Sequence, residues 1–207
     1  MKFTTTAAIA TAAAVVSALP QANTQSPKIT DGAFTLMSLR TGTPIQFGNV
    51  QAADSSLYIN AKDLNFRCGT TGPNAQFGLS NGTLSLWTNI PPQVMYVDRS
   101  GMGQGVLKYT TGVEPLPKNA ERQGWVLDEQ NQLTFVSPAG DKYGLQACSG
   151  AANGGYKIWL SGTPNPAGNT DCIPFSAQAL KVENPPNLHV HLECPQPPPP
   201  AHGVLMK

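Results

Sequence analysis

No window of a dozen residues in the body of this chain carries a sustained apolar stripe of helical period with caps. The apolar residues come instead in short runs with period-two alternation or β-branched and aromatic enrichment. Thirteen such runs are strand candidates: Phe34–Arg40, Ile45–Phe47, Ser56–Asn60, Asn65–Cys68, Gln76–Leu79, Thr83–Trp87, Val94–Asp98, Val106–Thr110, Trp125–Leu127, Gln132–Val136, Tyr143–Cys148, Tyr156–Leu160 and Ile173–Val182. Between them stand turn formers: Thr41-Gly42, Gly72-Pro73-Asn74, Asn81-Gly82, Ser100-Gly101, Ala139-Gly140-Asp141 and Asn153-Gly154-Gly155. Asn81-Gly82 is the clearest hairpin signal, because both residues tolerate positive φ. The chain is therefore expected to be all-β, a compact antiparallel β-sandwich or barrel. The pattern leans towards the sandwich. A β-trefoil-like fold is the alternative, although no threefold repeat of equal length supports it.

The N-terminus is of a different kind. Met1-Lys2-Phe3 brings one positive charge, and Ala7 to Leu19 is an uncharged, largely apolar run of thirteen residues. That suits the h-region of a secretory signal peptide and is too short to cross a bilayer, which takes about 20 residues. Val16-Ser17-Ala18 supplies small residues for cleavage after Ala18, and Ala22 offers a second site. A transit peptide would be rich in Arg, yet the first Arg is Arg40. The expected organisation is a signal peptide over 1–18 (or to 22), a flexible lead-in over 19–32, and one β-rich domain over 33–183. Residues 184–207, with Pro195 and the run Pro197–Pro200, are expected to form a disordered Pro-rich tail.

Charge narrows the function classes. Thirteen Lys and Arg stand against twelve Asp and Glu, so losing Lys2 with the signal leaves twelve of each. A neutral surface argues against nucleic acid, whose binding rests on basic clusters. After signal removal no apolar run is long enough for a membrane span. Cys68, Cys148, Cys172 and Cys194 would form two disulfides in an oxidising compartment, with three connectivities open. No C-x2-C spacing suggests a structural zinc site.

The chemistry available to the body is limited. His189, His191 and His202 all lie in the tail, so a Ser-His-Asp or Cys-His arrangement and the usual zinc-hydrolase ligands are not offered by the domain. His189 and His191 with Cys194 and His202 could be read as a metal cluster, but an incidental set in an open tail is the better reading. Paired carboxylates could serve a glycosidase, and the candidates are Asp54, Asp63, Asp98, Glu114, Glu121, Asp128, Glu129, Asp141 and Asp171. Most fall at turns, where Asp bonds nearby backbone. Gly101-Met102-Gly103-Gln104-Gly105 lacks the helix and Lys of a phosphate loop. Trp87, Tyr96, Tyr109, Trp125, Phe135, Tyr143, Tyr156 and Trp159 could stack on sugar, but aromatics on strands more often fill the core. Asn81-Gly82-Thr83 is an N-glycosylation sequon on the expected hairpin tip.

Several ordered motifs carry a resemblance. Phe34 to Phe47 (FTLMSLRTGTPIQF), Val94-Met95-Tyr96-Val97-Asp98 with Ser100-Gly101, Gly144-Leu145-Gln146-Ala147-Cys148, Tyr156-Lys157-Ile158-Trp159 and Asp171-Cys172-Ile173-Pro174-Phe175 occur in order. Together they resemble the cell wall protein PhiA family of filamentous fungi over about residues 33–182. The resemblance implies a secreted structural or surface protein of the fungal wall, associated with phialide and conidium development and without catalytic residues. It implies that Cys148 pairs with Cys172. The run from Leu188 to Lys207 departs from the family pattern, which leaves the partners of Cys68 and Cys194 open. The expected partners are wall polysaccharide or other wall components, and no cofactor or metal is expected. A secreted carbohydrate-binding, lectin-like module is the alternative, and a small carboxylate-dependent glycosidase comes third.

Overall fold

The computed structural model describes residues 27–62, 74–151 and 154–185. The signal peptide, the strand candidate Asn65–Cys68, Asp63, Cys68, Cys194, the three histidines and the proline tail lie outside these residues.

Fourteen strands follow in order: β1 Phe34–Leu39, β2 Val50–Ala53, β3 Ser56–Ile59, β4 Gln76–Ser80, β5 Thr83–Asn89, β6 Pro92–Asp98, β7 Val106–Thr111, β8 Ala120–Glu121, β9 Trp125–Leu127, β10 Gln132–Val136, β11 Lys142–Tyr143, β12 Leu145–Cys148, β13 Tyr156–Leu160 and β14 Ile173–Lys181. All their pairings are antiparallel, and nine of them close a ring in the order β1-β4-β5-β6-β7-β3-β13-β12-β14 and back to β1. Of the two architectures open to the sequence, the chain takes the barrel rather than the sandwich. Closure leaves none of the nine ring strands at a sheet edge, while β2, β8, β9 and β11 pair on one side only.

The closing pair is long range. Phe34 stands opposite Lys181 and Leu39 opposite Ser176, six residues in register along β1 and β14. The nine-residue β14 changes partners along its other side, meeting β12 at Ile173–Phe175 and β10 at Ala177–Gln178. Alternation explains the interior. On β1, Phe34, Leu36 and Ser38 are buried and Thr35, Met37 and Leu39 only partly so. The same period turns Met95, Val97, Leu107, Ile158, Leu160 and Ala177 into one continuous core. The β9–β10 hairpin adds Trp125 and Phe135, both fully buried and meeting edge-on with ring centroids 5.1 Å apart. Burying a side chain of this size contributes about 2–3 kcal/mol.

Three segments differ from the sequence expectations. Ile45–Phe47 is a turn: the Ser38 hydroxyl donates to the carbonyls of Ile45 and Gly48, and Phe47 turns into positive φ with its side chain exposed. Val50–Ala53 is a strand although its two alanines carry little strand propensity, because it pairs along all of β3 across a turn at Asp54-Ser55. The end of the lead-in is held down rather than free. Asn131, at positive φ, donates from its amide to Pro27 and accepts from the Ile29 N–H, which buries Ile29.

Candidate functional site

Four strand ends meet at one end of the barrel. Asp98 ending β6 pairs with Val106 starting β7, and Leu160 ending β13 pairs with Leu145 starting β12. Above them lie the β6–β7 loop, Tyr143 of β11 and the Ser161–Thr163 segment, which enclose an open cleft of about 400 Å³. That volume falls within the range of small-molecule sites.

Its walls are tied by backbone bonds. The Gly105 N–H donates to Asp98, the Leu160 N–H to Gly105 and the Ser161 N–H to Gly144. The Asp98 carboxylate accepts from the Ser100 N–H at 3.0 Å, and the Ser100 hydroxyl accepts from the Gly103 N–H at 2.9 Å. Gly103 has no room for a side chain, since a Cβ there would lie 2.2 Å from Asp98. Gln104 donates to Gly101 and accepts from Ala167, fixing its amide against the η1 turn at Pro166–Gly168.

Arg99 and Tyr143 form the polar and aromatic centre. The guanidinium carbon lies 4.8 Å from the Tyr143 ring centroid, and Nη2 donates to the phenol oxygen at 3.3 Å. Arg99 Nε also stands 3.6 Å from Glu121 of β8, so its charge is compensated. Gly162, at φ 114, lies close to the ring, and a Cβ there would come within 3.4 Å of it. Among the described residues the hydroxyls of Ser161 and Thr163 have no hydrogen-bond partner within the protein. The cleft therefore offers a planar cation, an aromatic ring and free hydroxyls on a fixed frame.

Most of the carboxylates singled out in the sequence have turn or ion-pair partners of their own, and Asp98 and Glu121 stand on adjacent strands, with Asp98 opposite Ala120. Asp98 and Asp128 accept turn N–H groups, Glu114 accepts the Thr111 N–H, and Asp141 accepts from Ser137. Glu129 pairs with Lys28, Glu121 with Arg99, and Asp171 with the Ser149 hydroxyl. Asp54 sits in the β2–β3 turn at positive φ.

Tyr96, Tyr109, Trp125, Phe135 and Trp159 are buried, whereas Trp87, Tyr143 and Tyr156 are half-buried. Cys148 and Cys172 are joined by a disulfide. On the outer face it packs with Val106 and Trp159, and Lys157 Nζ lies 5.8 Å from the Trp159 ring. Burial first, then the nearby Lys108, lowers the Lys157 pKa. Asn81 is exposed at the β4–β5 turn, with φ of 48° there and 73° at Gly82.

Arg99, Gln104, Ser161 and Thr163 were not candidates on sequence grounds. The signal available was the glycine-dense run from Gly101 to Gly105, which marks a tight turn rather than a phosphate loop.

Residues 34–189 match the family described as PhiA-like secreted protein. The chain is 39% identical to cell wall protein phiA of Emericella nidulans over 188 residues, covering 89% of this chain and 96% of that one. It is 40% identical to cell wall protein phiA of Aspergillus fumigatus over 179 residues, 85% and 91% of the two chains. The protein of the same name from Aspergillus niger is 37% identical over 84% and 91%. No solved structure matches.

Proposed function

This chain belongs to the PhiA-like secreted protein family, and on that premise we propose that it is a structural, non-catalytic protein of the fungal cell wall. The observation that carries the reading is the near full-length likeness to relatives named as cell wall proteins. The barrel is consistent with it. Its interior is packed with side chains, a disulfide pins β12 to the start of β14, and Asp98, Asp128, Glu114, Glu121 and Glu129 serve turns and ion pairs. Such a build suits persistence in an oxidising space where no chaperone refolds the chain.

The finer role is an association with phialide and conidium development, with wall polysaccharide or other wall components as the partners. Asn81 is the modification site, carrying an N-linked glycan on the β4–β5 turn. Culture fractionation into medium, detergent-extractable wall and covalently bound wall tests the location. Recovery in a wall fraction is expected, and recovery from the medium alone overturns it. Normal phialides and conidia after removal of the protein would overturn the developmental role.

The cleft beside Arg99 favours the second reading, a carbohydrate-binding module. Its polar groups come from loops at one barrel end rather than from aromatics along the strands. Binding of an oligosaccharide in solution is the measurement that separates it from a purely structural role.

A further inference from the structure

The geometry points to the cleft between the β6–β7 loop and Ser161–Thr163 as a binding subsite for a neutral saccharide segment, the contact through which this protein holds its wall polymer. The inference rests on the wall reading above and deepens its second reading with named groups and a neutral ligand class.

Three observations carry it. The first is shape: about 400 Å³, open to solvent, and built from three separate segments that backbone bonds lock together. A ligand therefore meets a preorganised surface and little ordering cost. The second is the donor set. Arg99, Ser100, Gln104, Ser161 and Thr163 line the cleft with guanidinium, hydroxyl and amide groups, the Gln104 amide being held already by Gly101 and Ala167, and the Ser161 and Thr163 hydroxyls have no protein partner among the described residues. Vicinal hydroxyls of a sugar ring match such a set, because each both donates and accepts. The third is charge. Among the described residues Arg99 is the one charged side chain lining the cleft, and Glu121 compensates it. An acidic sugar would find no free cation there, which sets the preference for a neutral one.

The test uses the mature, disulfide-bonded protein and titration calorimetry. The probes are chitohexaose, a β-1,3-linked glucose hexasaccharide and, as the anionic arm, an oligogalacturonate. Saturable binding is expected for at least one neutral probe, weakened roughly tenfold or more in Arg99→Ala. Thr163→Trp, which fills the cleft from a partly exposed loop position, should weaken it as much with an unchanged melting temperature. The proposal falls if neither neutral probe binds, if the acidic probe alone binds, or if both variants bind like the parent. The two readings fail separately. A Thr163→Trp protein that stays in the wall fraction sinks the cleft and leaves the wall role standing. A parent protein found only in the medium sinks the wall role, while titration still reports on the cleft.

Discussion

Gly124 lies so close to Val136 that a Cβ on Gly124 would sit 2.2 Å from the Val136 carbonyl oxygen. The Gly124 carbonyl accepts from the Val136 N–H, and the Gly124 N–H donates to the Gly82 carbonyl on its other side. With φ at 123° the position also lies where side chains other than glycine are strained. Gly124→Ala is expected to cost about 2–4 kcal/mol and to lower the melting temperature by roughly 10 °C. Calorimetry on the folded variant checks this. A drop of a degree or two would mean that the β9–β10 hairpin does not approach as described.

Trp125, one residue on, is fully buried, and its indole N–H has no acceptor among the described residues. Trp125→Ala opens a large cavity and should cost about 3–5 kcal/mol. Trp125→Phe removes the unpartnered donor along with part of the ring, so these effects oppose each other and the loss should stay below about 2 kcal/mol. Urea unfolding of both variants measures the gap. Equal losses would show that the N–H is satisfied after all.

The Cys148–Cys172 bridge spans a sequence separation of 24. In the chain-entropy description, a loop of that length contributes about 3 kcal/mol through the unfolded state. The Cys148→Ala, Cys172→Ala double variant should lose about that much. Non-reducing peptide mapping of the parent should recover the two cysteine peptides linked, and free thiols at both would refute the pairing.

Stability should fall in strong alkali. Burial pushes the Tyr109 phenol up to about 12 against the opposing influence of the Ser55 backbone, and burial raises Tyr58 and Tyr96 too. A folded-state pKa above the unfolded value of 10 gives a contribution fully present below pH 10 and lost as pH rises through about 12. For Tyr109 the loss amounts to about 2–3 kcal/mol. Unfolding at pH 8 and pH 11.5 reads it out, and Tyr109→Phe should flatten the decline. An identical decline in that variant would assign it elsewhere.

Glycosylation at Asn81 predicts a mass excess on protein secreted from a eukaryotic host, removed by an N-glycan-cleaving enzyme. Thr83→Ala breaks the sequon while leaving Asn81 in its turn, and should abolish the excess. Unmodified parent protein would end the proposal.

What the sequence made legible was local. The hairpin at Asn81-Gly82 could be read because two adjacent residues suffice to encode it, and the alternation of Thr83–Trp87 names its buried face. The choice between sandwich and barrel could not be read. It depends on β1 finding β14, and nothing near Phe34 specifies Lys181 as its neighbour. Val50–Ala53 escaped because its pairing with β3, rather than its own side chains, makes it a strand. The cleft escaped for the same reason. Arg99, Tyr143 and Ser161 belong to three separate stretches, and none carries a signature until the barrel brings its strand ends together.

The register that closes the barrel also decides how the molecule yields to tension. Phe34 and Lys181 lie side by side at the same end of the β1–β14 ladder. Pulling those two points apart loads the cross-strand hydrogen bonds one pair at a time, since antiparallel bonds run perpendicular to the strands. A tether through Phe34 and Lys181 would thus unzip the barrel at low force. An anchor at the loops around Arg99 and Ser161, which share one cleft, would instead pull on β6, β7, β12 and β13 together, so a wall that stretches is better gripped there than at the β1–β14 seam.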